Sequence, residues 1–114
     1  MPQAEPAKIL RVHLCEADKY EGKPLYEAIV TKCRDLNMAG ATVFQGLEGY
    51  GETAEIHEHH LVARDQPITI VVVDCAANID RLKPVVEAML ETGVIAVSEV
   101  EMIRVQKSGT TSNP

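Results

Sequence analysis

Ile68-Thr69-Ile70-Val71-Val72-Val73, running on into Asp74-Cys75, is the longest apolar run of the chain and has the β-branched composition of a strand. Both of its alternating faces are apolar: Ile70 and Val72 point one way, Val71 and Val73 the other. Downstream, Asp80 to Leu90 reads as a helix with Leu82, Val86, Met89 and Leu90 on one stripe, stopping at Gly93. Pro84 removes a backbone donor there; it fits if the regular helix begins within about one turn before it, and otherwise kinks the helix. Val94 to Val105 reads as one strand or two short ones. Upstream the same order occurs once more. Ile9 to Cys15 reads as a strand, Pro24 to Asn37 as a helix and Ala41 to Leu47 as a strand. Pro24 suits a first helical turn, Leu25, Ile29, Cys33 and Leu36 line one face, and Gly40 sits where a left-handed cap is wanted.

Two βαβ units in succession give an α+β fold, a ferredoxin-like βαββαβ sandwich: a four-stranded antiparallel sheet with two helices on one face. The helices cover one face only, yet the second face of Ile68–Val73 is apolar too. On the first strand Leu10, Val12 and Leu14 form one face, while Arg11 and His13 lie on the other with Ile9. The uncovered face is therefore expected to pack against other copies of the chain through a mixed polar and apolar contact.

At 114 residues the chain is one domain with a modest core, 46% hydrophobic and 25% charged. A net charge of −6 argues against attraction to nucleic acid or an anionic membrane. Residues 1–20 carry no apolar leader, and the longest apolar run is far too short for a bilayer, so no membrane insertion and a cytoplasmic location are expected. Cys15, Cys33 and Cys75 are odd in number and widely spaced, which reads as reduced core thiols. Residues 1–7 are expected to be flexible, 8–105 to form the domain, and 106–114, polar and small, to be a disordered tail.

The topology fixes which loops meet. If the first strand runs up, the loop Glu16 to Lys23, the long central loop Glu48 to Gln66 and the turn Thr92-Gly93 all lie at the top of the sheet, beside the N-terminus of the first helix. Lys19, Tyr20 and Lys23 flank Gly22 in the first loop, and Gly46, Gly49 and Gly51, with Glu48 and Tyr50, open the central one. Glycines, two lysines, a tyrosine and a helix N-terminus thus converge on one rim of an acidic protein, as suits a phosphate-bearing ligand. The spacing G-x-x-G-x-G is equally that of a mobile hairpin loop; it follows no first strand of a Rossmann unit, and no Walker sequence is present.

Lys19-Tyr20-x-Gly22-Lys23-Pro24-Leu25-Tyr26-Glu27-Ala28-Ile29, Ala39-Gly40-Ala41-Thr42-Val43 and Gly46-x-Glu48-Gly49-Tyr50-Gly51 resemble the uncharacterised PII-like family known as domain of unknown function one-ninety. Ile56-His57, Pro67-Ile68, Val73-Asp74 and Val100-Glu101 fit the same pattern, so the resemblance covers about residues 8 to 105. It implies the fold of PII signalling proteins, ferredoxin-like subunits in a compact homotrimer. There the central loop is the partner-contacting T-loop, and adenine nucleotides bind between subunits at its base. Gly46, Gly49 and Gly51 would match the glycine-rich T-loop base. The lysine-rich B-loop of true PII proteins is missing, since only Thr92-Gly93 stands there, and Glu52 and Thr53 replace the lysine and glutamine at the T-loop base. Lys19, Lys23, Arg11 and Arg104 are candidate cations to meet nucleotide phosphates, none of them matched by the resemblance, and Tyr50 poorly matches the uridylylated tyrosine of some T-loops.

The resemblance implies a non-enzymatic sensor with no obligatory cofactor. ATP, ADP or AMP would be its effector, and a partner protein such as a membrane transporter or channel its target. The rival reading is a divalent-metal trimer of the CutA type, with His57, His59 and His60 beside Glu55 and Glu58 as ligands, set against a plain solvated loop. Catalysis is not expected, because nothing supplies nucleophile, base and oxyanion donors together. Glu16 and Asp18 read as polar loop residues near a helix start rather than as a catalytic carboxylate pair.

Overall fold

The computed structural model describes residues 4–47 and 66–107. Strand β1 (Ala4–Cys15) is followed by two short strands, β2 (Lys19–Tyr20) and β3 (Lys23–Pro24), and by helix α1 (Leu25–Asp35). Then come β4 (Thr42–Gln45), β5 (Pro67–Cys75), helix α2 (Ala76–Met89) and β6 (Val94–Ile103). The main sheet has four strands in the order β4-β5-β1-β6, every neighbouring pair antiparallel. This is the βαββαβ arrangement read from the sequence, with β2 and β3 added as a separate hairpin.

The core lies between the helices and one sheet face. Leu10, Val12 and Leu14 of β1 meet Ile68, Ile70 and Val72 of β5, and above them lie Leu25, Ile29 and Cys33 of α1 and Ile79, Leu82, Val86 and Met89 of α2, all buried. The period of two on the strands and of about 3.6 on the helices thus meets in one apolar layer. Leu36 and Leu90 pack against it only partly buried.

Several boundaries differ from the sequence reading. β1 begins at Ala4 instead of Ile9, because β6 runs on to Ile103 and pairs with Ala4 through Ala7. Pro6 is tolerated because β5 has already ended there, its last partner being Ala7. Helix α2 starts directly after the extended N-cap Cys75, not at Asp80, so Pro84 stands more than two turns inside it. Pro84 is exposed, and its ring leaves one carbonyl of the preceding turn without a main-chain donor. The left-handed residue closing α1 is Asn37 (φ 63°) and not Gly40. The Met38 amide donates to the Cys33 carbonyl at 3.0 Å and the Asn37 amide to Arg34 at 3.0 Å, a Schellman closure with Met38 and Cys33 both in the core. Cys33 is buried, and burial pushes its thiol above the ordinary range. Cys15 and Cys75 are not core thiols; both are half-buried on the face of the sheet that no helix covers.

Candidate functional site

The rim at which β1 ends and β5 begins is built from three parts of the chain. The Glu16 amide donates to the Gln66 carbonyl (2.8 Å), and the Gln45 side-chain amide donates to Glu16 Oε1 (3.0 Å). The Gly46 amide donates to the Pro67 carbonyl (2.7 Å), which closes the stem of the central segment. A Cβ on Gly46 would stand 2.8 Å from Pro67 Cγ, so glycine is needed for this close approach, and its N–H is already engaged. On the other side Gly93 (φ 152°) packs so tightly that a Cβ would lie 2.9 Å from the His13 carbonyl oxygen. The first loop, both stems of the central segment and the turn after α2 therefore meet at one end of the sheet, as the topology requires.

Asp18 organises the first loop: its Oδ2 accepts from the Cys15 amide (2.9 Å), while its carbonyl accepts from the Leu25 amide (2.8 Å) at the entry to α1. Between these bonds the β2–β3 hairpin turns through Glu21 (φ 52°) and Gly22 (φ 83°), both central residues left-handed as a type I′ turn demands. Tyr20 opposes Lys23 and Lys19 opposes Pro24, so the two lysines project from opposite faces of the hairpin. Both are exposed, whereas Tyr20 packs against the core. Tyr26 lies close by: its burial and the Glu27 and Glu16 carboxylates push the hydroxyl above its usual range.

The remaining cations are placed elsewhere. Arg11 stands mid-strand on the uncovered sheet face, donating to Ser98 Oγ at 3.5 Å. Arg104 lies past the end of β6 at the opposite pole, 3.5 Å from Asp74 Oδ1 and 3.6 Å from Glu5 Oε2. Within one chain, then, Lys19, Tyr20, Lys23 and Gly46 share the rim, and Arg11 and Arg104 do not. Glu48, Gly49, Tyr50 and Gly51, and the metal candidates His57, His59 and His60, lie outside the described residues. Among the described residues no cluster of three or more His, Cys, Asp or Glu side chains is arranged to hold a metal ion.

The opposite pole carries a residue the sequence reading left without a role. Asp74 is only 1% exposed. Its Oδ2 accepts from the Ala39 amide (2.8 Å), and its Oδ1 accepts from the Cys75 amide (2.7 Å) and the Asn78 side chain (3.2 Å) and faces Arg104. Burial alone would raise this carboxyl; the hydrogen bonds and the Arg104 charge together outweigh it and hold the group below the usual carboxylate range. The signal was in the alternation Ile68, Ile70, Val72, Asp74, which puts a carboxylate on the buried face.

Across the uncovered face, β1 sets Ile9, Arg11 and His13 beside Thr69, Val71 and Val73 of β5, Thr42 and Phe44 of β4, and Val94, Ala96 and Ser98 of β6. Thr69 Oγ1 lies 3.2 Å from His13 Nδ1. Phe44 is 56% exposed. Of these, Arg11 and His13 alone are ionisable, so the face is mostly uncharged.

This fold is shared by known PII-like proteins. The apo form of CPII from Thiomonas intermedia K12, a nitrogen regulatory PII-like protein, superposes with a TM-score of 0.60 at 20% identity over 92% of this chain and 100% of its own. CPII bound to ADP and bicarbonate gives 0.61 at 23% identity over 90% and 93%. A PII-like signalling protein of Thermus thermophilus gives 0.64 at 14% identity over 88% and 92%. At the sequence level the chain belongs to the DUF190 family, described as "Uncharacterized ACR", whose model matches residues 7–102. A UPF0166 protein of Aquifex aeolicus (strain VF5) is 32% identical over 98 residues, 84% of this chain and 92% of that protein. A UPF0166 protein of Methanocaldococcus jannaschii is 34% identical over 101 residues, 86% and 93% of the two. No helix among the described residues is long and apolar enough to cross a membrane.

Proposed function

We propose that the protein is a non-enzymatic PII-like regulatory subunit of the cytoplasm. It works as a homotrimer, takes an adenine nucleotide (ATP, ADP or AMP) in its inter-subunit clefts, and uses residues 48–66 as a T-loop to control a partner such as a membrane transporter or channel. The observation that carries this reading is the rim, where the lysine-bearing hairpin, both stems of the central segment and the Gly93 turn are hydrogen-bonded or packed together. A ligand held there acts at the root of the loop and shifts its populations without needing a catalytic group. The mostly uncharged open face supports assembly with further copies, which bring additional cations such as Arg11 and Arg104 within reach of a phosphate. Structures of CPII with ADP and AMP support the ligand class.

A thermal-shift panel of nucleotides, bicarbonate, zinc and copper on the purified protein, with its solution mass, tests the reading. A nucleotide at about 100 Kd stabilises by about 2.7 kcal/mol, a rise on the order of 10 °C, and Gly49→Val abolishes the shift. A shift with zinc or copper alone, lost when His57, His59 and His60 are all alanine, replaces this reading with the metal-binding one. Slow consumption of the nucleotide makes the protein an enzyme, and a monomer in solution removes the inter-subunit cleft.

A further inference from the structure

We propose that Glu16 is a coupling residue, the link through which the state of the β2–β3 hairpin is transmitted to the base of the central loop. Its main-chain N–H holds the returning stem at Gln66, and its side chain holds the outgoing stem at Gln45. It hydrogen-bonds both stems, and it stands just before the turn, braced by Asp18, that launches the hairpin. The Gln45 bond ties two segments 29 residues apart in sequence. Gln45 is the last residue of the β4 ladder and precedes Gly46, whose bond to Pro67 closes the stem. Movement of the hairpin therefore reaches β4 directly by one side-chain bond, and the returning stem by backbone contacts of Cys15 and Glu16 that a side-chain substitution leaves in place. β2 and β3 pair only with each other, so the Glu16–Gln45 bond is the direct side-chain link to β4, beside the ladder contact through Cys15 and Pro67 that no substitution of Glu16 removes. Under the regulatory reading above, on which only the ligand arm of the test rests, this bond carries ligand binding into the loop.

A double-mutant cycle read by amide hydrogen exchange decides it. Gly22→Val forces a branched side chain into a left-handed conformation with open space around it, which loosens the hairpin without a clash. With Glu16 in place, Gly22→Val speeds exchange at Gln45–Leu47 about three- to tenfold, the worth of one exposed hydrogen bond. In the Glu16→Ala background exchange there is already faster, and Gly22→Val adds nothing. Glu16→Gln restores the coupling, because its side-chain carbonyl still accepts from Gln45. Amides of the β1–β6 ladder do not change in any variant. Simple additivity of the two substitutions overturns the proposal, as does a Glu16→Ala protein whose Gln45–Leu47 exchange equals the wild type. Should Glu16→Ala not fold, Gln45→Ala removes the same bond from the other side and takes its place. In the ligand arm, saturating ADP slows exchange at Gln45–Leu47 in the wild type; Glu16→Ala binds ADP within about twofold but loses that protection, the coupling being a population effect. Loss of ADP affinity in Glu16→Ala would make Glu16 a ligand contact and overturn the coupling role. No ADP effect in the wild type, with the cycle still non-additive, sinks the regulatory reading and leaves the inference standing.

Discussion

Two aspartates sit at opposite ends of one sheet and do different things. Asp74, at the pole away from the rim, is buried and receives the Ala39 and Cys75 amides, the Asn78 side chain and Arg104. Asp18, at the rim, is half-buried and its side chain receives the Cys15 amide. One carboxylate joins the α1–β4 connection, the start of α2 and the end of β6; the other shapes a single loop. The difference is between an end whose polar groups are locked into the scaffold and an end whose polar groups tie loop segments to one another. Under the function proposed above, regulation belongs at the second, where local opening costs little of the global stability.

The sharpest way to break this comparison is Asp74→Ala. It strands the Ala39 and Cys75 amides and an arginine, and is expected to cost about 3 kcal/mol in urea denaturation. A cost below about 1 kcal/mol would mean that Asp74 is no more structural than an ordinary surface carboxylate. Acid sharpens the same point. The folded Asp74 carboxyl lies below its unfolded value, so the unfolded chain takes the proton first. Its stabilisation is fully present above about pH 4, and is lost as pH falls through the folded-state value. Asp74→Asn should flatten the acid limb of a stability-versus-pH curve. Some slope remains, because the hydrogen bond from Lys8 (2.7 Å) also holds Asp80 low. An unchanged acid limb would count against the assignment.

Next in size come the glycines. Gly93→Ala sets a Cβ 2.9 Å from a main-chain oxygen at a left-handed φ, with an expected cost of about 2 kcal/mol in thermal unfolding. Gly46→Ala meets the Pro67 ring at 2.8 Å and the Pro67 carbonyl only at 3.6 Å, and should cost about 1 kcal/mol. Gly40→Ala meets nothing within 4 Å and has no left-handed φ, so it is expected to be neutral within about 0.5 kcal/mol. A costly Gly40→Ala would restore the capping role that the sequence suggested for that residue.

These glycines show what the sequence could carry. Periodicity placed the strands and the two helical stripes, because burial on one face writes itself directly into every second or every third and fourth residue. Loop chemistry is not written that way. Gly40 looked like the cap by position, but Asn37 takes the left-handed turn because the helix already ends at Asp35, two residues before Asn37. The rim was legible as a set of segments from topology alone. Its internal bonds were not, since Gln45 to Glu16 depends on the register of two strands against a loop. The hairpin had a local signature, Tyr20-Glu21-Gly22-Lys23, with glycine at the second central place of a two-residue turn. That register also separates Lys19 from Lys23, which a sequence reading of neighbouring lysines runs together.

The smallest effect falls on the other aspartate. Asp18→Ala removes the acceptor for one half-buried backbone amide, that of Cys15, and leaves the Asp18 carbonyl free to receive the Leu25 amide as before. The expected loss is about 1 kcal/mol, at the scale of a loop or cap bond between a carboxylate and a main-chain donor. Asp18→Asn keeps an oxygen in the same place and should recover most of it. The telling quantity is the location of the effect. Exchange should quicken at Cys15 and along Lys19–Lys23, while the amides of Ala39 and Cys75, held by Asp74 at the far pole, keep their protection. If Asp18→Ala loosened Ala39 as well, the two ends would unfold as one cooperative unit, and the rim could not open independently of the scaffold.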